Sequence, residues 1–339
     1  MSNSPLSHSG AVRLRPQRGR TLIELLVAIG LGLLILLGVG TLFLGANQAS
    51  RSSVNIASAE EASQVVLSTI GNAVRRAGYA EVIGAADVPS RADLLYSGPL
   101  VQGCVGANFV LDGAGNPVLD GNGFYTCGPT VAGAPDSLAI VFQSDSVLAG
   151  PQFATLDCLG SNPPFVPITN PDYAARVTGP NAGTIPLVRN IYTVAGTNLT
   201  CRGSGSPNFP QTVIGDVEEF KVYFGFDDNA QATPLVNTGR PTARTLRTAD
   251  FIRALPVAVP TNFPPWDFVV TVHVCVLVRS VEGGVTAQAA PTYNRCPQTP
   301  AQAEGTAAVP TNTSGDGRIR RAYSQVFTVR SRSAPAPAS

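Results

Sequence analysis

A single carboxylate, Glu24, stands at the front of a long apolar run and is the first residue to suggest a chemical role. From Leu25 to Ala46 the chain has 22 residues without a charge. A carboxylate in a membrane costs about 2.5–3.5 kcal/mol on insertion scales and is usually paired with another group. The role expected of Glu24 is therefore ion pairing with a partner.

The cysteines indicate disulfides in an oxidising compartment rather than free buried thiols. All 6 lie beyond the apolar run and form no C-x-x-C pair, so the spacing of a zinc site is absent. Connectivity is open from the residues alone, and we favour pairing of neighbours because each bond would close a loop-rich segment. The pairs would be Cys104 with Cys127, Cys158 with Cys201 and Cys275 with Cys296.

Other residues with catalytic or metal-binding chemistry are sparse. His273 lies two residues from Cys275, where a Cys–His nucleophile pair competes with the interpretation that we favour, a disulfide cysteine beside an ordinary strand histidine. The calcium candidates lack the spacing of a calcium loop, and turn chemistry explains them without metal. They are Asp112, Asp120, Asp227 and Asp228. We expect no enzyme activity, no metal and no cofactor.

The charge balance does not indicate a nucleic-acid-binding protein. Charged residues make up 13% of the chain and the net charge is +1. A basic cluster near the C-terminus is interpreted as the solvated edge of a sheet, with DNA binding as the alternative. It comprises Arg318, Arg320, Arg321, Arg330 and Arg332.

The apolar run is long enough to cross a membrane, at about 33 Å as a helix. Four arginines and no acid lie between Arg13 and Arg20, so the N-terminus is expected to stay cytoplasmic and the rest to be exported. A cleaved secretory signal would have a shorter run, and only "LGA" before Asn47 resembles its cleavage site. Neither that signal nor an uncleaved signal anchor explains Glu24.

The segment "RGRTLIELLVAIG" resembles the prepilin cleavage and methylation motif of type IV pilins and pseudopilins. The resemblance implies that a prepilin peptidase cuts after Gly19 and methylates the new amino terminus on Arg20. It also implies that Glu24 pairs with the amino terminus of a neighbouring subunit. The residue after the cut is usually apolar in this family, and here it is Arg20.

A single helix is predicted from about residue 21 to about residue 78, because no proline occurs between Pro16 and Pro89. Its second half carries apolar residues near helical spacing, which need a partner surface. They are Val54, Ala57, Ala62, Val65, Val66, Ile70, Ala73, Val74 and Ala77.

The rest of the chain is expected to be a β-rich domain with long loops, giving an α+β, pilin-like fold in which the helix packs on an antiparallel sheet. The expected segments are a leader 1–19, a transmembrane and amphipathic helix 20–78, a periplasmic domain 79–332 and a disordered tail 333–339. No internal repeat is identified. The strands are expected at 137–143, 183–194, 217–226, 268–280 and 322–331.

Three further segments resemble minor pilins of the PilW type: "IGNAVRRAGYAEV", "VIGDVEEFKVYFGFDDN" and "DGRIRRAYSQVFTVRSR". The resemblance implies a minor pilin at low copy near the tip of a type IV pilus, where it primes assembly and serves adhesion, twitching motility or DNA uptake. Implied partners are other minor pilins, the major pilin, the prepilin peptidase, the assembly platform, a tip adhesin and the bacterial inner membrane. Nucleic acid is not expected as a partner.

Two other functions remain open from the sequence. A J-like minor pseudopilin of a type II secretion system shares every N-terminal feature. A membrane-anchored periplasmic binding or adhesin domain that never assembles would share the anchor but not the need for Glu24.

Overall fold

The computed structural model describes residues 21–80, 96, 98–144, 155–168, 182–228, 243, 245–256, 264–281 and 292–329. The chain divides into two compact units, the first ending at Arg51 and the second beginning at Ser52. The predicted leader and the predicted C-terminal tail lie outside the described residues.

The first element is a helix of 55 residues, α1 (Leu22–Arg76). Its sequence contains no proline, and Arg75 and Arg76 lie in its last turn, where cations interact favourably with the helix dipole. Gly78 follows with φ 70°, a left-handed conformation that glycine adopts without steric cost. Its amide donates to the carbonyl of Val141 at 2.9 Å, so the chain leaves the helix already bonded to a strand. The predicted long N-terminal helix is confirmed.

Within the second unit, α1 buries one stripe of small and apolar side chains. Ala59, Ser63, Val66, Ile70 and Val74 are buried at spacings of three or four residues, which places them on one helix face. The predicted stripe was wrong for Val54 and Val65, which face solvent instead of the domain. Val54 and Val65 are 65% and 50% exposed, because they lie a quarter turn or more away from the face that meets the domain.

The second unit contains two main antiparallel sheets. The six-stranded sheet has the order β1-β2-β4-β5-β6, with β3 paired to β4. Its strands are β1 (Val101–Cys104), β2 (Ser137–Gln143), β3 (Phe165–Pro167), β4 (Thr184–Ala195), β5 (Asn198–Gly203) and β6 (Gln211–Ile214).

The four-stranded sheet has the order β12-β9-β7-β8, so the last strand of the chain forms one of its edges. Its strands are β7 (Val217–Phe226), β8 (Thr245–Arg247), β9 (Val269–Arg279) and β12 (Arg320–Thr328). Between β9 and β12 a small two-stranded sheet forms from β10 (Thr292–Asn294) and β11 (Thr311–Thr313). Short helices are α2 (Ala249–Ala254), a 3₁₀ turn (Pro265–Phe268) and α3 (Pro300–Ala303).

The central strand β9 is buried on both faces, which explains its almost uninterrupted apolar sequence. Val272, Val274 and Val276 belong to the main core, together with α1 and the strands of both sheets. On the opposite face, Cys275 and Leu277 pack with Cys296 of the segment between β10 and α3. The strand therefore shows no regular alternation of apolar and polar residues, because both of its faces are covered.

A buried ion pair connects the two main sheets. Asp136, just before β2, lies 3.1 Å from Nζ of Lys221 on β7, and their side chains are 5% and 8% exposed. The Asp136 carboxylate also accepts from the amides of Gly106 at 2.9 Å and Val222 at 3.0 Å. Lys221 Nζ donates further to the carbonyl of Ala134 at 2.8 Å. Burial raises the pKa of Asp136, and the Lys221 charge opposes that rise.

The loop between β1 and β2 contains an internal repeat, contrary to the expectation from the sequence. The segments "VLDGAG" (110–115) and "VLDGNG" (118–123) form two turns with the same hydrogen bonds. The amides of Val110, Val118 and Thr126 each donate to the carbonyl of another of these three residues, at 2.8–2.9 Å. The loop is therefore an ordered pair of turns joined by short antiparallel bridges rather than irregular chain.

The predicted fold class is confirmed by this architecture. A long apolar N-terminal helix precedes antiparallel sheets, and the second half of the helix packs on them. The five predicted strands correspond to β2, β4, β7, β9 and β12.

Candidate assembly site

Glu24 lies in the first turn of α1 and is exposed. Its amide donates to the carbonyl of Thr21 at 3.1 Å, and this backbone hydrogen bond closes the first turn of the helix. Among the described residues no cation pairs with its carboxylate. Gly19 and Arg20, the predicted cleavage and methylation positions, lie outside the described residues.

The helix around Glu24 presents apolar side chains in every direction. Large apolar residues from Leu22 to Leu44 are between 52% and 77% exposed. The helix α1 is long and apolar enough to cross a membrane, and the described part of the chain has one helix of this kind. A helix that is hydrophobic all round requires an apolar environment on all sides.

The chemistry available to Glu24 is electrostatic. Between Leu22 and Arg51 it is the sole charged side chain of the helix. A carboxylate in an apolar medium attracts an opposite charge far more strongly than it would in water. Removing either member of such a pair leaves an uncompensated charge. The pair therefore fixes the position of the partner that carries the opposite charge along the axis of α1. The site can therefore determine how this helix aligns with a cationic partner.

The cysteines form three disulfides: Cys104–Cys127, Cys158–Cys201 and Cys275–Cys296. This is the neighbour pairing favoured from the sequence. Cys275–Cys296 holds the segment around β10 against the outer face of β9. The thiol of Cys275 is thereby consumed, which leaves His273 without a nucleophile beside it.

Three of the four calcium candidates, Asp112, Asp120 and Asp228, accept hydrogen bonds from neighbouring residues of the fold. Oδ1 of Asp112 accepts from the amides of Ala114 and Asn116 at 2.9 and 2.8 Å. Oδ1 of Asp120 accepts from Asn122 and Phe124 at 2.8 and 2.9 Å. These bonds are why the pKa of Asp112 is lowered, chiefly by the Asn116 amide.

The other two candidates belong to the region after β7. Asp228 accepts from the hydroxyl of Thr245 at 2.6 Å and from Arg247 at 3.2 Å, whereas Asp227 is buried. No group of three or more metal-ligating side chains occurs in the described ranges.

The C-terminal arginines differ from the predicted solvated edge because acids at the start of β7 and in the segment before β12 pair with them. Arg320 has a side chain only 8% exposed, and it contacts Glu218 at 2.7 Å and Asp316 at 2.8 Å. Arg318 lies 3.7 Å from Asp216. Glu218 is 102 positions from Arg320 and approaches it only through sheet formation, whereas Asp316 lies four residues before Arg320. Arg330 and Arg332 lie outside the described residues.

Three comparisons with known proteins bear on the identity of this chain. Residues 181–331 match the family model of the Type IV Pilus-assembly protein W, PilW. None of the curated protein sequences matches. One solved structure that matches is the type IV-like pilin TTHA1219 from Thermus thermophilus, at 10% sequence identity and a TM-score of 0.37, with 81% of this chain and 97% of that chain covered.

The PilW match covers β4 to β12, including the two segments that suggested this family from the sequence and lie beyond α1. The apolar helix and the disulfides suit a membrane-anchored periplasmic pilin. Pilins of this kind are structural, non-enzymatic proteins that interact with other pilus components. The match bears out the resemblance to PilW-type minor pilins over residues 181–331, the part of the chain that carries that family's sequence.

Proposed function

We propose that this chain is a prepilin that is cut after Gly19 and built into a type IV pilus as a minor subunit. Its parts are a leader 1–19, an assembly helix 20–78, a periplasmic domain 79–332 and a tail 333–339. The observation that carries the proposal is Glu24, the one charge in an apolar helix that has no protein cover in the described part of the chain. The PilW match supports it independently.

Glu24 pairs with the amino terminus that cleavage creates on a neighbouring subunit. Before cleavage that amine does not exist, so the carboxylate has no counter-charge on the next chain. After cleavage the pair forms in an apolar surrounding, where it sets the axial position of one subunit against the next. Cleavage thus converts a membrane-anchored monomer into an assembly-competent subunit.

The subunit acts at low copy near the pilus tip, together with other minor pilins, and primes assembly. The second unit is too large and too rich in loops to repeat economically along a helical shaft. Its contacts are with the other minor pilins, the major pilin, the assembly platform and a tip adhesin. Adhesion, twitching motility and DNA uptake would follow from the pilus rather than from chemistry of this chain.

Glu24→Ala tests the proposal, with Glu61→Ala as the matched control because Glu61 is an exposed acid on the same helix. Loss of one partner of a buried pair costs about 3–5 kcal/mol, which is about 100-fold or more in an association constant. We expect Glu24→Ala to abolish incorporation into pili while membrane insertion and leader cleavage persist. Glu61→Ala should leave all three unchanged.

Pilus number by electron microscopy and subunit content of sheared pili by immunoblot provide the measurements. Unchanged pilus number and function with the Glu24→Ala chain would favour a simple membrane anchor that does not assemble. Loss of cleavage in the same variant would show that Glu24 serves the peptidase rather than assembly.

A further inference from the structure

The edge strand β12 is longer than the other edge strands of the two main sheets, and no described strand pairs with its outer side. It has 9 residues, and its register with β9 is unbroken from Arg320 to Thr328. The outermost strands β1, β6 and β8 have 4, 4 and 3 residues, and β3, which pairs with β4 alone, has 3. Proteins normally blunt an exposed edge by shortness, bulges, proline or charge. None of these devices occurs between Ala322 and Thr328.

Strand pairing shows which backbone groups of β12 face the open edge. The amide of Ser280 donates to the carbonyl of Ile319, and the amide of Val329 donates to the carbonyl of Val270. In an antiparallel ladder every second residue exchanges hydrogen bonds with the same neighbour. The odd-numbered residues therefore bond to β9, and the amides and carbonyls of Ala322, Ser324, Val326 and Thr328 point to the open edge.

A cavity of about 310 Å³ opens beside the middle of this edge. It lies on the face of the sheet opposite α1, between the strands and the segment held by the Cys275–Cys296 disulfide. Ser324 and Val326 line it from β12, His273 from β9 and Ala303 from α3. Val326 is 52% exposed. The cavity is therefore an uncharged recess for a side chain that follows the edge.

The uncompensated charge of β12 lies at its start and not at its centre. Arg321 is exposed, and no carboxylate of the described residues forms an ion pair with it. The rest of the strand, from Ala322 to Thr328, is uncharged. A strand complementary to this pattern has an uncharged, partly apolar centre and an acidic residue opposite Arg321. A second copy of β12 contains no acidic residue and does not have that pattern.

We propose that β12 accepts an extended strand from a different protein, which pairs with its open edge and inserts an apolar side chain into the recess at Ser324 and Val326. The partner strand carries an acidic residue at the end that lies opposite Arg321. Main-chain hydrogen bonds provide the pairing and the recess provides selectivity, as in other cases of β-strand addition. The inference depends neither on leader cleavage nor on Glu24.

The test places the photo-crosslinking residue p-benzoylphenylalanine at Val326 of the full chain in its native host. The matched control carries the same probe at Thr212, an exposed residue of the short edge strand β6. We expect a crosslink at Val326 and about fivefold less at Thr212. Mass spectrometry should map it to a segment of another protein with an uncharged centre and an acidic residue at one end. Equal yields, a partner peptide from this same chain, or a peptide without that charge pattern would each overturn the proposal.

A second arm tests whether the backbone of β12 makes the contact. Ser324→Pro removes an amide that points to the open edge and leaves the β9 ladder intact, a position where proline is tolerated. With the probe at Val326, we expect Ser324→Pro to lower the crosslink about fivefold or more, whereas Ser324→Ala, which keeps the amide, retains it. If Ser324→Pro reduces the amount of chain, Ser324→Lys replaces it, because lysine discourages pairing at an edge. A crosslink unaffected by both variants would exclude strand pairing.

Discussion

Neutralising Asp136 should destabilise the domain strongly because it leaves Lys221 buried without a counter-charge. The two side chains are 5% and 8% exposed and lie 3.1 Å apart. Asp136→Asn keeps the shape and one acceptor oxygen but removes the charge. Breaking a buried pair by removing one partner costs about 3–5 kcal/mol. We therefore expect the free energy of unfolding to fall by about that amount.

The double variant separates the ion pair from the rest of the contacts. Lys221→Met removes the cation and fills its space with an unbranched apolar chain. Combined with Asp136→Asn it leaves no uncompensated charge, so the loss in the double variant should be smaller than the sum of the single losses by about 1–3 kcal/mol. The acid also gives the Lys221→Met variant a pH dependence. Burial raises the pKa of Asp136 in the folded chain, so its protonation favours folding and the deficit should shrink as the pH falls.

Trp266 provides the assay, because it is the only tryptophan and is fully buried. Its fluorescence reports unfolding of the full chain in detergent as urea is added. An Asp136→Asn variant within about 0.5 kcal/mol of the parent would refute the reasoning, since that is the range of an ordinary surface substitution. Additive losses in the double variant would show that the two residues act independently.

Two further predictions concern the helix and the C-terminal ion pairs. Gly71→Ala should lower the free energy of unfolding by about 1–3 kcal/mol, because the added Cβ would lie 2.7 Å from Cδ1 of the Phe327 ring. Gly30→Ala should not lower it, since a Cβ at Gly30 has no atom within 4 Å. Urea titration of both variants checks this prediction, and equal unfolding midpoints would contradict it. Hydrogen bonds from Arg320 lower the pKa of Asp316 in the folded chain. The contribution of Asp316 to stability is therefore fully present above its pKa in the unfolded chain, about 4, and is lost as the pH falls through its pKa in the folded chain. Asp316→Asn should therefore weaken stability at neutral pH and flatten its fall in acid, and an unchanged acid limb of the pH–stability curve would contradict this.

Much of the second unit could be predicted where local pattern and tertiary structure agree. The strand bounds at 137–143 and 217–226 match β2 and β7, because each is rich in β-branched or aromatic residues and is bounded by turn residues. The short strands β1 and β5 carry few apolar residues and could not be recognised. Their positions depend on pairing with β2 and β4, which no local pattern records.

The site could be predicted in part, for a similar reason. Glu24 was identified because a charge within an apolar run is anomalous by itself. The pair of Asp136 and Lys221 could not be identified, since the two residues lie 85 positions apart and approach only when the sheets pack. The repeat of "VLDG" was present in the sequence and was missed, although two aspartates at the same place in successive turns were a sufficient signal.

Cleavage after Gly19 can be checked from the mass of the mature chain. We predict that the protein purified from the native membrane and from sheared pili begins at Arg20, with three disulfides and with or without one methyl group. Intact-mass spectrometry with N-terminal sequencing resolves this in one measurement. A native product that still begins at Met1, or one that begins at Asn47, would contradict the account.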